Sequence, residues 1–187
     1  MHTAAVRLFV ALDVPTVAID HLQAAVAAVA DEHPGLRWLP PDRRHVTLAF
    51  LGEVEPPALA ALAARLGRVA GRHPALQLRF AGAGRFDSRV LWVGVEGDTE
   101  PLARLVRSVG AAARKAGVPV EERVHRPHVT LARSRTMSLD LRPMVARLAD
   151  YVGPPWRAAS FSLVCSRLGP QPEYEPLERF RLGGVPD

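Results

Sequence analysis

Cysteine and lysine are almost missing from this chain: Cys165 and Lys115 are the only ones among 187 residues. One thiol excludes an intrachain disulfide and any paired-cysteine metal motif. Cys165 ends the apolar-alternating run Phe161-Ser162-Leu163-Val164-Cys165, which predicts a packed thiol and fits a reducing, cytoplasmic setting. Long hydrophobic runs are lacking too. No segment reaches membrane-spanning length, and Met1-His2-Thr3 leads into a strand-like run without a basic region before a long apolar stretch. Neither export nor membrane insertion is expected. HExxH, CxxC, the P-loop and the nucleophile elbow do not occur, so a metalloprotease, a nucleotide triphosphatase and a serine hydrolase have no support.

What is present suits a soluble globular chain, with 48% hydrophobic and 23% charged residues and length for one sizeable core or two fused lobes. The formal charge of +5 is carried by arginine, whose guanidinium binds phosphate oxygens bidentately. Phosphate or nucleic-acid partners are therefore expected.

The chain is organised around a phrase that occurs twice, His45-Val46-Thr47-Leu48 and His128-Val129-Thr130-Leu131. Each reads as a strand with period two, so His45 and Thr47 share one face, as do His128 and Thr130, while Val and Leu point into a core. The phrases are 83 residues apart, and the same offset sets Leu8-Phe9-Val10 on Leu91-Trp92-Val93, Thr16 on Thr99 and Leu78 on Phe161. We read residues 1–187 as one domain built from a duplicated unit, roughly 5–86 and 88–169, plus a C-terminal tail.

In order, the first copy predicts a strand over 7–12, a helix N-capped by Thr16 and ending near His33-Pro34-Gly35, then Leu36-Arg37-Trp38-Leu39, and a turn delivering the chain to His45. A second helix follows Pro56-Pro57, then an alternating strand over 76–80 and the Gly-rich stretch Ala81-Gly82-Ala83-Gly84. The second copy repeats this: a strand over 90–95, a helix through Leu102 and Val109, a strand over 120–124, the motif strand, a helix through Leu141, Val145 and Leu148, and a strand over 159–164. Tyr174, Leu177, Phe180 and Leu182 suit one more edge strand. The fold class expected is α+β: two pseudo-symmetric lobes, each a mostly antiparallel sheet with helices on its outer face, and the active site in the cleft between them.

Two histidines and no metal can perform acid–base chemistry at phosphorus. One neutral imidazole activates water while an imidazolium protonates the departing oxygen. Thr47 and Thr130, with an arginine, would hold the non-bridging oxygens. Zinc lacks a third protein ligand here, so no metal and no cofactor are expected.

The doubled His-x-Thr-x phrase resembles the 2H phosphoesterase superfamily, and the flanking text is similar to its RNA 2′,3′-cyclic phosphodiesterase (2′-5′ RNA ligase) family. The similarity runs through Arg7-Leu8-Phe9-Val10-Ala11-Leu12-Asp13-Val14-Pro15, His45 to Glu53, Pro127 to Arg133, Ser166-Arg167-Leu168 and Tyr174-Glu175-Pro176-Leu177. It implies hydrolysis of RNA or nucleoside 2′,3′-cyclic phosphates to 2′-phosphomonoesters, with reversible 2′-5′ joining of RNA ends. His45 would be the proton donor and His128 the acceptor. The partners implied are RNA ends or nucleotides bearing a cyclic phosphate, with no membrane and no obligate protein partner. One departure is Arg126, where the family often has an aromatic. Arg133 is a further phosphate-binding candidate, provided the strand bends near Ala132, since strict alternation puts it on the wrong face. Phe9 is a candidate for stacking on a base, as is its counterpart Trp92, although packing suits both. His2, His21, His33, His73 and His125 are expected at the surface. The alternatives are a noncatalytic nucleotide- or RNA-binding module, or the same chemistry on a small cyclic phosphate such as that of ADP-ribose.

Overall fold

In the computed structural model, residues 5–120, 126–134, 139–167, 169 and 173–183 are described. In chain order they form β1 (Val6–Leu12), α1 (Thr16–Glu32), β2 (Arg37–Trp38), β3 (Val46–Val54), α2 (Pro56–Ala70), β4 (Leu76–Phe86), β5 (Val90–Gly97), α3 (Thr99–Lys115), β6 (His128–Arg133), α4 (Arg142–Leu148), β7 (Trp156–Ala158), β8 (Ser160–Arg167) and β9 (Glu173–Arg181). The strands run β7-β4-β5-β6-β3-β1-β8-β9, with β2 added to β6, and every pairing is antiparallel. Two half-sheets, β3-β1-β8-β9 and β7-β4-β5-β6, meet at one residue pair, Val46 with Val129. This is the two-lobed α+β arrangement expected, with the tail forming edge strand β9.

Each lobe draws on both halves of the sequence. β4 lies beside β5, and β8 lies beside β1. Helices cross over as well: α1 and α4 pack together over the β4–β5 side, and α2 and α3 over β3, β8 and β9. Alternation then sorts the side chains. Leu8, Val10 and Leu12 of β1 join Val46, Leu48, Val93, Val129 and Leu131 in one core with helix residues such as Leu22, Leu62, Leu102 and Val109. The intervening residues face the other way, where Phe9, Ala11 and Val164 form a separate small cluster against Tyr174.

Two local expectations are corrected. Thr16 is not an N-cap but the first residue of α1; Pro15 holds the cap position at φ −62, no side chain caps the helix, and the Pro15 carbonyl accepts from Ala18 and Ile19 at 3.0 and 3.3 Å. The proline ring fixes the extended entry that a capping hydroxyl would otherwise stabilise. The strand expected over 76–80 does not end at the Gly-rich stretch, because β4 continues through it to Phe86. Gly82, at φ 61, is an extra residue between the Ala81–Gly94 and Ala83–Val93 pairs, a bulge that needs glycine's freedom. Gly84 is small for another reason: it lies across from Trp92, and a Cβ there would stand 2.2 Å from the indole. The expected strand over 120–124 lies, beyond Val120, outside the described residues.

Gly84→Ala should therefore force the indole off β4. Denaturant unfolding should show a loss of about 1–3 kcal/mol, as for other overpacked sites; an unchanged midpoint would mean that Trp92 moves aside without cost.

Candidate active site

His45 stands immediately before β3 and His128 opens β6, so the Val46–Val129 seam brings both to the middle of the sheet. Each ring is tethered in the same way. Nδ1 of His45 donates to the Arg43 carbonyl at 3.0 Å, and Nδ1 of His128 donates to the Arg126 carbonyl at 2.7 Å. A carbonyl only accepts, which assigns the proton of each neutral ring to Nδ1 and leaves Nε2 as the reactive nitrogen.

Aromatic rings hold the two imidazoles from behind. Phe9 stacks on His45 with centroids 4.6 Å apart, and Tyr174 meets it edge-on at 5.4 Å. Phe86 meets His128 edge-on at 4.9 Å, and Trp92 lies 6.1 Å away. Burial lowers the His45 pKa to about 4; the bond to Arg43 opposes this, while the positive charges of His128 and Arg133 add to it. His45 is thus neutral near pH 7, and both of those charges lie within its electrostatic reach.

Arg133 reaches the cleft face through a bulge. Trp92 pairs with Thr130 and Leu91 with Ala132, so Leu131 is an extra residue; Leu131 and Ala132 are both buried and Arg133 is exposed. The phase of alternation flips there, which is the bend that Arg133 required. β3 carries the same device 83 residues earlier. Thr47 pairs with Ala11 and Ala49 with Val10, Leu48 is the extra residue, and Phe50 emerges 67% exposed. Phe50 therefore occupies in one motif strand the place of Arg133 in the other.

Phe9 cannot serve as a base-stacking platform. It is 4% exposed, with His45 on one side and Tyr174 at its edge, so its ring belongs to the packing that supports the histidine. Trp92 is likewise buried, with the Arg126 guanidinium 5.3 Å above its ring. Arg126 thus covers an aromatic from β5. A cavity of about 390 Å³ is lined there by Trp92, Gly94, Glu96, Thr99, Arg126 and Pro127, among others.

Two residues at the site escape a reading of the sequence. Phe50 reads there as a continuation of the motif, and only the shared bulge shows its face. Arg37 of β2 lies directly opposite Arg133, so the two guanidinium groups share a side of the sheet. No sequence signal identifies Arg37, because its pairing with β6 is non-local. Thr47 and Thr130 are half-buried beside their histidines. Among the described residues, no three His, Cys, Asp or Glu side chains converge to hold a metal ion. Of the other histidines, His21 bonds the Tyr151 hydroxyl at 2.9 Å, and His73, expected at the surface, is half-buried against Ser108; His2 and His125 lie outside the described residues.

Residues 14–165 match the 2′-5′ RNA ligase superfamily. The chain belongs to this family. A relative from Escherichia coli, called RNA 2′,3′-cyclic phosphodiesterase, is 31% identical over 94% of this chain and 96% of its own length. A protein of the same description from Archaeoglobus fulgidus is 30% identical over 93% of this chain and 99% of its own. One from Geobacillus stearothermophilus is 30% identical, and there the alignment spans half the relative's length. Among solved structures, E. coli LigT complexed with 3′-AMP superposes with a TM-score of 0.76 at 27% identity, covering 95% of this chain and 98% of that one. A protein from Thermus thermophilus gives 0.77 at 28%, with the same coverage. Among the described residues of this family member, no helix is long and apolar enough to cross a membrane.

The depressed His45 pKa has a consequence for stability. The unfolded chain takes up a proton on this ring near 6.5 and the folded chain only near 4, so the contribution is fully present above about pH 6.5 and lost as pH falls toward 4. The loss should approach about 3 kcal/mol. Urea unfolding across this range should show it, and His45→Gln should flatten the profile. A His45 ring that titrates at its ordinary value by NMR would contradict this account.

Proposed function

We propose that this chain hydrolyses RNA or nucleoside 2′,3′-cyclic phosphates to 2′-phosphomonoesters by two-histidine acid–base catalysis. The observation that carries the proposal is the matched pair of imidazoles, each with Nδ1 tied to a carbonyl two residues back and Nε2 left for chemistry. The names of the E. coli and A. fulgidus relatives support the substrate class. In the reaction, the oxygen of water attacks phosphorus, and its proton passes to Nε2 of His128. The bond to the 3′ oxygen breaks as Nε2 of His45 donates a proton to it, leaving the phosphate on the 2′ oxygen. The same steps with an RNA 5′-hydroxyl in place of water would join RNA ends through a 2′-5′ linkage, and their reverse would cleave that linkage. Thr47, Thr130 and Arg133 would bind the non-bridging oxygens, with Arg37 adding charge. Phe50, exposed on the cleft face, would take the base-stacking role that the sequence suggests for Phe9. A cytoplasmic setting belongs to this proposal, supported by the buried free thiol of Cys165.

The assignment of His45 as donor demands a proton that burial withholds in the empty cleft. An anionic phosphate placed between His45 and Arg133 offsets the repulsion and raises the pKa, so the proton arrives with the substrate. The pKa of the donor should accordingly be higher in the pH profile of kcat than in that of kcat/KM. Identical pKa values in both profiles would remove this coupling. A substrate with a good 3′ leaving group should rescue His45→Ala and leave His128→Ala nearly inactive; rescue of His128→Ala alone would reverse the roles.

Thr47→Val and Thr130→Val keep the β-branched shape and lose the hydroxyl. Each should lower the rate on the order of 10²–10³ without unfolding the protein. Full activity in either variant would reduce that threonine to a strand former. EDTA should leave the rate unchanged, whereas loss restored by zinc or manganese would refute the two-histidine mechanism.

A further inference from the structure

A second cavity, of about 210 Å³, lies on the helical side of the sheet, in the groove between α2 and α3. Arg65, Arg68, Arg72 and Lys115 line it, with His73 and Ser108 hydrogen-bonded to each other at 2.9 Å, and no carboxylate lines it. None of the four cations makes an ion pair among the described residues. Four like charges around one concavity repel. The C-termini of α2 and α3 offset part of this, since each helix end carries about half a negative charge. Two such ends neutralise about one of the four charges.

The repeat-related groove between α1 and α4 is built differently. The offset of 83 residues carries Arg104, Arg68 and Lys115 onto His21, Tyr151 and Glu32. There the groups complement one another: His21 bonds Tyr151 at 2.9 Å, and Glu32 pairs with Arg147 at 3.1 Å. One helix pair closes on its own side chains. The other retains positive charge that no carboxylate in its walls neutralises.

We propose that the α2–α3 groove binds a small polyphosphate of pyrophosphate or triphosphate size. Guanidinium groups match phosphoryl oxygens two at a time, and three of them with one ammonium balance an anion carrying three or four charges. The cavity is a compact, half-open pocket of about 210 Å³ between two helices, a size that suits a short anion better than a nucleic-acid strand, whose phosphates need a track along the surface. This site lies across the sheet from the histidines and does not depend on what the cleft turns over.

Titration of pyrophosphate and tripolyphosphate into isotope-labelled protein at physiological salt tests the proposal. The amides of His73, Ser108, Ala111 and Ala112 should shift and saturate. Arg68→Glu combined with Arg72→Glu should weaken those shifts by about tenfold or more, the expected cost of two charge-assisted contacts, while any response near the histidines persists. Should charge reversal disturb the fold, Arg65→Gln and Arg72→Gln give the same comparison. Silent groove amides, or shifts that survive both pairs of substitutions, would overturn the site. A groove that answers to an RNA oligomer but not to polyphosphate would overturn the ligand.

Discussion

The whole arrangement hangs on one antiparallel contact, Val46 with Val129, both fully buried. The seam is a single residue pair, so it sets how closely the two motif strands approach without flattening one half-sheet onto the other. On the core side, Val46, Leu48, Val129 and Leu131 anchor it. On the opposite side the same alternation presents imidazole and hydroxyl from each strand. Core packing and the placement of the chemical groups are therefore one constraint: displacing a core valine would move a histidine.

Around this seam the environment is asymmetric although the architecture is not. Phe9 lies where Trp92 lies in the other half, and each supports a histidine, but a phenyl stacks on His45 while an indole under Arg126 stands behind His128. The bulges at Leu48 and Leu131 are equivalent, yet they expose Phe50 on one strand and Arg133 on the other. The His45 strand thus presents an exposed phenyl ring where the His128 strand presents an exposed guanidinium. We propose gene duplication as the origin of the two-fold plan. The equal spacing of β1, β3 and β8 against β5, β6 and β4 about the seam supports it.

Electrostatics follows from burial here. His45 is held neutral mainly by desolvation, with repulsion from His128 and Arg133 in the same direction. Under the proposed mechanism an anion in the cleft would relieve that repulsion, so that binding and proton uptake would be one event.

Much of this was legible in the residues themselves. Period-two alternation placed His45 with Thr47 and His128 with Thr130, helical spacing located the helices through Leu22 and Leu102, and the 83-residue offset related the two halves. These signals are local, or repeat along the chain, and need no partner to be read. The tertiary structure decided the rest. Arg133 and Phe50 face the cleft because a pairing partner imposes a bulge, and alternation alone predicts the other face. Gly84 serves the indole of Trp92 on a neighbouring strand, so its glycine-rich surroundings resemble the end of a strand until β5 is in place. Phe9 lost its role as a platform because His45 lies on it. β4 and β8 exchange lobes because strand order in a sheet is fixed by which edges meet. Each of these depends on contacts between residues distant in sequence, and local periodicity carries no record of them.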